Sequence, residues 1–337
     1  MAYTIPMRFF RATVESMMKR GIDVEQALRG AGLDWRLYAE DRARMTPEQT
    51  TGVVRALWAQ TDDELLGLGP RPVARGTLRL AGLTIIHTRD LRTALARMLE
   101  LATVATGIRW TQSVDEAGLT TISSEGQPGT RIDPFVAFAL AGGLHRFAGW
   151  LIGAPITLHS VEFRFDAEHL SDDYALIFGV RPAFRAPRTA MSFDAALLTK
   201  PVVRDEADLE RFLRDAPGAL FYAQEQSATT AVRVRTIMER NPNGPWLGAD
   251  ELARRLSISA PHMRRLLRAE GTGQRRIQEE ILRDRAVEAL VHGDESIAEL
   301  AARLGYSEAS AFRRAFHRWT GSAPIDYRGT RPSDPRH

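Results

Sequence analysis

Hydrophobic positions recur at two different spacings along these 337 residues, and the change of spacing divides the chain. In the first two thirds, helical runs mix with short alternating ones. Residues 7–20, 24–30 and 46–60 repeat apolar side chains at helical intervals, and 91–106 do so again after Asp90. Residues 108–114 and 118–123 are β-prone runs joined by Asp115-Glu116-Ala117-Gly118, which predicts a hairpin. Residues 134–153 are almost wholly apolar and predict a buried helix. Residues 156–165 alternate through His159, Val161, Phe163 and Phe165, which predicts a half-buried strand, and 190–193 predict a last short one. This mixture is an α+β pattern.

The last third carries helical spacing only, and it carries the same plan twice. In residues 250–268 a Leu252-Ala253-x-x-Leu256 stripe precedes a turn at Ser259 and an arginine-rich run. Residues 297–318 repeat this with Leu300-Ala301-x-x-Leu304, a turn closed by Ser307 and a second arginine-rich run. Each reads as a helix-turn-helix, whose second helix lies in the DNA major groove. At 3.6 residues per turn, Met263, Leu266, Leu267 and Glu270 share one face, and Pro261, Arg265 and Arg268 turn the other way. Likewise Phe312, Ala315, Phe316 and Trp319 form a stripe that turns Ser310, Arg314 and His317 outward, with Arg313 on the flank. Between the units, residues 276–291 predict a long connecting helix, stopped at Gly293, and Ser296 with Glu299 forms a capping box for the next. Such a rod holds two reading heads at a set distance; near roughly 34 Å, both enter consecutive grooves on one face of the duplex.

Charge sharpens this division. Residues 1–232 hold 26 basic and 28 acidic side chains, whereas 233–337 hold 19 and 14, and all 19 are arginine. Arginine's planar fork grips phosphate or the guanine edge with two parallel hydrogen bonds. Arginine also dominates the rest of the chain, where Lys19 and Lys200 are the only lysines, so charge supports the helical register rather than replacing it. Cysteine is absent, which excludes disulfides and thiolate zinc sites. The N-terminus has no apolar stretch of secretory length, and Arg146 inside residues 134–153 argues against a membrane span, so a cytoplasmic location is expected. No metal-ligand spacing, nucleophile elbow or phosphate-binding glycine loop appears, which argues against an enzyme and against a cofactor. Gly142 and Gly143 lie in an apolar helical run, where close packing is the expected reason for them.

The run from Ser310 through Phe312, Arg313, Arg314, Phe316, His317, Trp319, Gly321 and Pro324 to Tyr327-Arg328 resembles the signature that closes the DNA-binding domain of AraC/XylS bacterial transcription regulators. That resemblance implies two helix-turn-helix units in the last hundred residues. By position it implies DNA contacts from Pro261, His262, Arg264 and Arg265 in the first unit, and from Ser310, Arg313 and Arg314 in the second; helical register adds Arg268 and His317 to the candidate DNA-binding residues. Phe312 and Phe316 would be core. Two positions depart from the pattern: Gln274 stands where an aromatic residue is common, and Pro261 offers bases no polar group. The N-terminal region resembles that of the branch holding ornithine-utilisation and mycobacterial virulence regulators, which implies a sensing and dimerising module without implying arabinose.

The expected architecture is therefore an α+β effector domain over 1–204, a linker over 205–232 containing Ala216-Pro217-Gly218, and an all-α DNA-binding domain over 233–337 with two helix-turn-helix units joined by a long helix. Expected partners are double-stranded promoter DNA, RNA polymerase, a second copy of the chain and a small-molecule effector, apolar or amphipathic. Its pocket is expected at Trp110, Phe135, Phe138, His145, Arg146 and Trp150, with a satisfied core pair or an exposed edge as the alternative for His145 and Arg146. The expected function is a sequence-specific regulator, of the activating kind; an architectural DNA-binding protein without ligand control is the alternative.

Overall fold

Asp, Gly and Pro residues at the ends of helices account for much of the architecture. The computed structural model describes residues 4–124, 132–167, 170–215, 230–239 and 246–328. Strand β1 (Ile5–Pro6) leads through a 3₁₀ turn, Met7–Phe10, into helices α1 (Arg11–Met18), α2 (Val24–Gly30) and α3 (Trp35–Ala39). Strand β2 (Arg44–Met45) pairs antiparallel with β1, and α4 (Pro47–Thr61) and α5 (Thr77–Ile85) follow. Helix α6 (Leu91–Thr106) starts where the Asp90 carboxylate accepts from the Thr93 amide and ends at Gly107, in the left-handed conformation. The hairpin β3 (Trp110–Val114) and β4 (Leu119–Ser124) turns at Asp115, whose carboxylate accepts from the Leu119 amide. Helix α7 (Pro134–Leu151) is opened by Asp133, with proline in its first turn. Then come β5 (Leu158–Glu162), α8 (Ser171–Phe178), β6 (Thr189–Asp194) and α9 (Glu206–Asp215). The remainder is helical: α10 (Thr230–Glu239), α11 (Ala249–Arg255), α12 (Ala260–Ala269), α13 (Gln274–His292), α14 (Ile297–Arg303), α15 (Ala309–Thr320) and a closing 3₁₀ turn, Pro324–Tyr327.

Contacts group the chain into two units. One holds residues 12–24 and 54–224; the other holds 1–11, 25–53 and 225–337. This differs from a division into 1–204 and 233–337, because the first and third stretches of the N-terminal region pack with the C-terminal helices. The cause is a set of polar contacts to Asp284 and Tyr327, taken up below. Helix α9 falls where a linker is expected, and Ala216-Pro217-Gly218 lies outside the described residues.

In the first of these units, an antiparallel sheet of order β3-β4-β6-β5 presents Trp110, Ile122, Met191, Phe193 and Val161 to the core. Its other face carries hydroxyls, with Ser160 bonded to Ser192 at 2.7 Å and Thr111 to Ser123 at 3.1 Å. The simple alternation expected through His159 does not hold. An irregularity in pairing between Leu158 and Ser160 turns His159 outward while Val161 and Phe163 stay buried. Helix α7 is buried along most of its length. Gly149 is close-packed, since a Cβ there would sit 3.1 Å from the Ala154 carbonyl; Gly142 is buried, and Gly143 faces open space. Among the described residues, no helix is long and apolar enough to cross a membrane.

Candidate nucleic-acid interface

Helices α12 and α15 owe their orientation to opposite faces of very different chemistry. On α12, Ala260, Met263 and Leu267 are buried, Met263 completely, in a core with Leu252, Leu256, Ile277 and Ile281. On α15, Phe312 and Phe316 have no exposed surface, and Tyr306 and Tyr327 close on them edge-to-face. Burying two phenylalanine side chains stabilises the fold by about 1.5 to 3 kcal/mol each, enough to lock the register of a twelve-residue helix. With the inner face locked, Pro261, Arg264, Arg265 and Arg268 on α12 are exposed, His262 is partly so, and Ser310, Arg313, Arg314 and His317 on α15 are exposed.

Helix boundaries follow local chemistry. Ser259 caps α12, its hydroxyl accepting from the His262 amide, and Pro261 occupies the first turn, where its missing N–H is harmless. Ser296 and Glu299 form the expected capping box of α14. Ser307 does not do the same for α15: the residue at the cap is Glu308, which makes no side-chain cap bond and instead accepts from the Ser310 hydroxyl at 2.9 Å. The α15 helix ends at Gly321, whose φ of +74° suits glycine. Gln274, in place of an aromatic residue, opens α13 and donates to the Leu247 carbonyl at 3.0 Å. The connector α13 runs 19 residues, about 28 Å at 1.5 Å per residue.

Arginine pairing sets these two faces apart from several neighbouring helices. Arg254 and Arg255 both pair with Glu251, Arg275 with Glu279, Arg276 with Glu280 and Arg303 with Glu295. Helices α12 and α15 contain no acidic residue. Among the described residues, Arg264, Arg265, Arg268, Arg313, Arg314 and Arg318 have no carboxylate partner. Arg265 instead donates to Nδ1 of His262 at 2.9 Å, joining two candidate residues, and Arg264 reaches back to the Ala260 carbonyl at 3.3 Å. This contrast was legible in the i, i+4 spacing of Glu and Arg, yet periodicity alone does not report it. A depression of about 620 Å³ also lies beside α15, bounded by Arg313, Arg314 and His317 and floored by Ile297, Ala323, Pro324 and Ile325. Ile325 is 63% exposed, and register gave no reason to single it out.

The residues expected to line an effector pocket are dispersed. Phe138 and His145 share Phe178 as a neighbour, with ring centroids 5.9 and 6.3 Å away, in a cluster with Tyr174 and Phe163. His145 bonds through Nε2 to the Ile156 carbonyl at 2.8 Å, and its buried Nδ1 has no partner. Burial, reinforced by the adjacent Arg146 charge, holds the imidazole well below its usual range, at about 4. Arg146 is buried and donates to the Ile177 carbonyl at 2.6 Å. Trp150 points elsewhere, stacking with Phe147 and Phe212 and lying under the Arg204 guanidinium. Trp110 sits on the sheet, where its backbone amide donates to the Thr103 hydroxyl. Phe135 is buried on α7. The geometry thus groups Phe138, His145 and Arg146 around α8 and separates both tryptophans from them.

Two helix-turn-helix units with unmatched arginines on both second helices define a DNA-binding protein. Comparison with known proteins extends the class. Residues 21–202 match the model described as the arabinose-binding domain of AraC transcription regulator, N-term, and residues 252–330 match the helix-turn-helix domain. The chain belongs to the AraC family of transcription regulators. It is 26% identical over 331 residues, 96% of this chain and 95% of the other, to the uncharacterized HTH-type transcriptional regulator Rv1395 of Mycobacterium tuberculosis. It is 28% identical over 194 residues to the ornithine utilization regulator of Pseudomonas aeruginosa, a match spanning 58% of this chain and little more than half, 57%, of that one. Among solved structures, the transcriptional regulator CdpR from P. aeruginosa is 21% identical over 84% of this chain and 86% of its own, with a TM-score of 0.31.

Proposed function

We propose that this regulator reads promoter DNA sequence-specifically through α12 and α15, as a homodimer, and that a small-molecule effector bound in the N-terminal region controls its recruitment of RNA polymerase as an activator. One observation carries the reading: among the described residues, the exposed arginines of both second helices lack carboxylate partners, while Arg235, Arg254, Arg255, Arg275, Arg276, Arg283 and Arg303 of the same domain are paired. An arginine with no carboxylate partner keeps its charge uncancelled, and most of its donors, for a phosphate or a base edge. In this reading Arg265, Arg268, Arg313 and Arg314 contact bases or phosphates, His262, Ser310 and His317 assist, and Pro261 and Arg264 lie against the backbone.

The test begins with selection of duplexes from a random pool by the purified full chain. Enriched and scrambled duplexes are then titrated over rising salt. A sequence reader keeps its preference for the enriched duplex as phosphate contacts are screened; loss of preference along with affinity would instead establish the architectural alternative. Effector control is tested separately, by a thermal-shift screen of metabolites, since a ligand held by the folded state raises its melting temperature. A ligand found this way should lose its effect in His145→Ala if it sits beside Phe138 and Phe178. An undiminished shift in that variant would move the pocket elsewhere.

A further inference from the structure

Asp284 lies on the inner side of the connector α13 and is 1% exposed. A carboxylate so buried must be matched by charge and hydrogen bonds, or it destabilises the fold. Arg235 of α10 donates to it at 2.7 Å and Arg283 at 3.0 Å, while Arg44 approaches to 3.7 Å and the Thr4 hydroxyl donates at 2.5 Å. Thr4 and Arg44 come from the opposite end of the chain. They are held to each other, Arg44 donating from Nε to the Thr4 hydroxyl at 2.6 Å and from Nη2 to the Thr4 carbonyl at 2.5 Å, across the ribbon in which Pro6 pairs with Arg44.

The same strand reaches the second reading unit. The Arg44 backbone amide donates to the Tyr327 hydroxyl at 2.9 Å, and Tyr327 stands edge-on to Phe316 of α15, with ring centroids 5.2 Å apart. Two residues earlier, Arg42 donates from Nη1 to the Arg318 carbonyl, in the last turn of α15, at 3.1 Å. The first unit is reached through Arg235, because α10 packs on α12 and its opening amides at Thr230 and Ala231 donate to Glu270, just past the end of α12, at 2.9 and 2.7 Å. A single short ribbon therefore touches what holds α12 and what holds α15.

We propose that residues 4–6 and 42–45 form an intramolecular brace on the DNA-binding units, and that this brace fixes the relative placement of the two reading helices. Its strand β2 lies inside the span matched by the N-terminal family model, so a segment that belongs in sequence to the effector region is physically part of the reader. The surface it occupies is Asp284, Tyr327 and the end of α15, and its occupant is this ribbon. The inference rests on the DNA reading proposed above only for its consequence. The docking itself is measurable without DNA.

The test uses the full chain carrying Arg44→Met, which leaves Asp284 paired with Arg235 and Arg283, and Arg42→Ala at an exposed position that folding tolerates. Hydrogen exchange without DNA is expected to quicken roughly tenfold over 324–327 and the last turn of α15 in Arg44→Met, and in that last turn alone in Arg42→Ala. Affinity of Arg44→Met for a duplex with two adjacent half-sites is expected to fall about tenfold, while affinity for a single half-site stays within about twofold. Unchanged exchange in both variants would overturn the brace, as would an equal loss on both duplexes. Wild-type protein that bound neither duplex would remove the DNA reading and leave the exchange result to decide the docking.

Discussion

At the scale of single residues, what matters on α12 and α15 is the company each arginine keeps. Arg314 and Arg265 face outward with no carboxylate to compete, and the side chain that Arg265 does bond, His262, is itself a candidate DNA contact. Arg265→Ala and Arg314→Ala are each expected to cost about 1 to 3 kcal/mol of binding to the enriched duplex, with preference relaxed at one base pair, as measured by fluorescence anisotropy on point-substituted duplexes. His145 makes a different kind of prediction. Its folded-state pKa of about 4 lies below the unfolded value near 6.5, so protonation favours the unfolded chain and stability falls as pH drops through that window. Between pH 7.5 and 5 the loss is about 2 kcal/mol, and denaturant melts of His145→Phe should lack that component. Asp284 acts in a lower range. Burial pushes its carboxyl up, but Arg283, Arg235 and Arg44 together hold it at about 2, so its contribution is complete above pH 4 and fades below. The outward residues of both reading helices were legible from register alone. Asp284 was not, because an aspartate in a connecting helix looks solvated, and Thr4 and Arg44 lie 280 and 240 positions away in sequence.

Elements were legible where their signals were local. Helix α6 begins at Asp90 and ends at Gly107, and the capping box of α14 is written in four consecutive residues. Helix α5 was missed because its cap is remote: Glu64 accepts from the Gly76 and Leu78 amides, while Gly76 itself has no side chain to signal a start. Strand β5 was found, but not its irregularity, since pairing errors depend on the neighbouring strand. The two serines of the second unit put the value of local signals to a test. Ser296 accepts from the Glu299 amide and Ser307 caps nothing, so Ser296→Ala should lower stability by about 1 kcal/mol and Ser307→Ala by no more than a few tenths, in thermal melts of the full chain.

Across the whole molecule, the units follow contacts rather than chain order. Residues 1–11 and 25–53 read as the opening of an effector domain, and hydrophobic spacing carries no record of which distant helix an N-terminal ribbon will join. The polar partners of Thr4, Arg42, Arg44 and Glu48 do that. Binding at this scale is expected to weaken steeply with salt. Replacing an arginine that touches a phosphate, with Arg268 or Arg313 the candidates, should reduce the slope of log K against log salt by about one, whereas a base-reading arginine changes preference as well. Both reading helices carry guanidinium and no ammonium, the lysines being at positions 19 and 200. Acetyl transfer to lysine therefore has no target on either helix, and amine-directed labels or surface-coupling chemistries leave the binding face untouched.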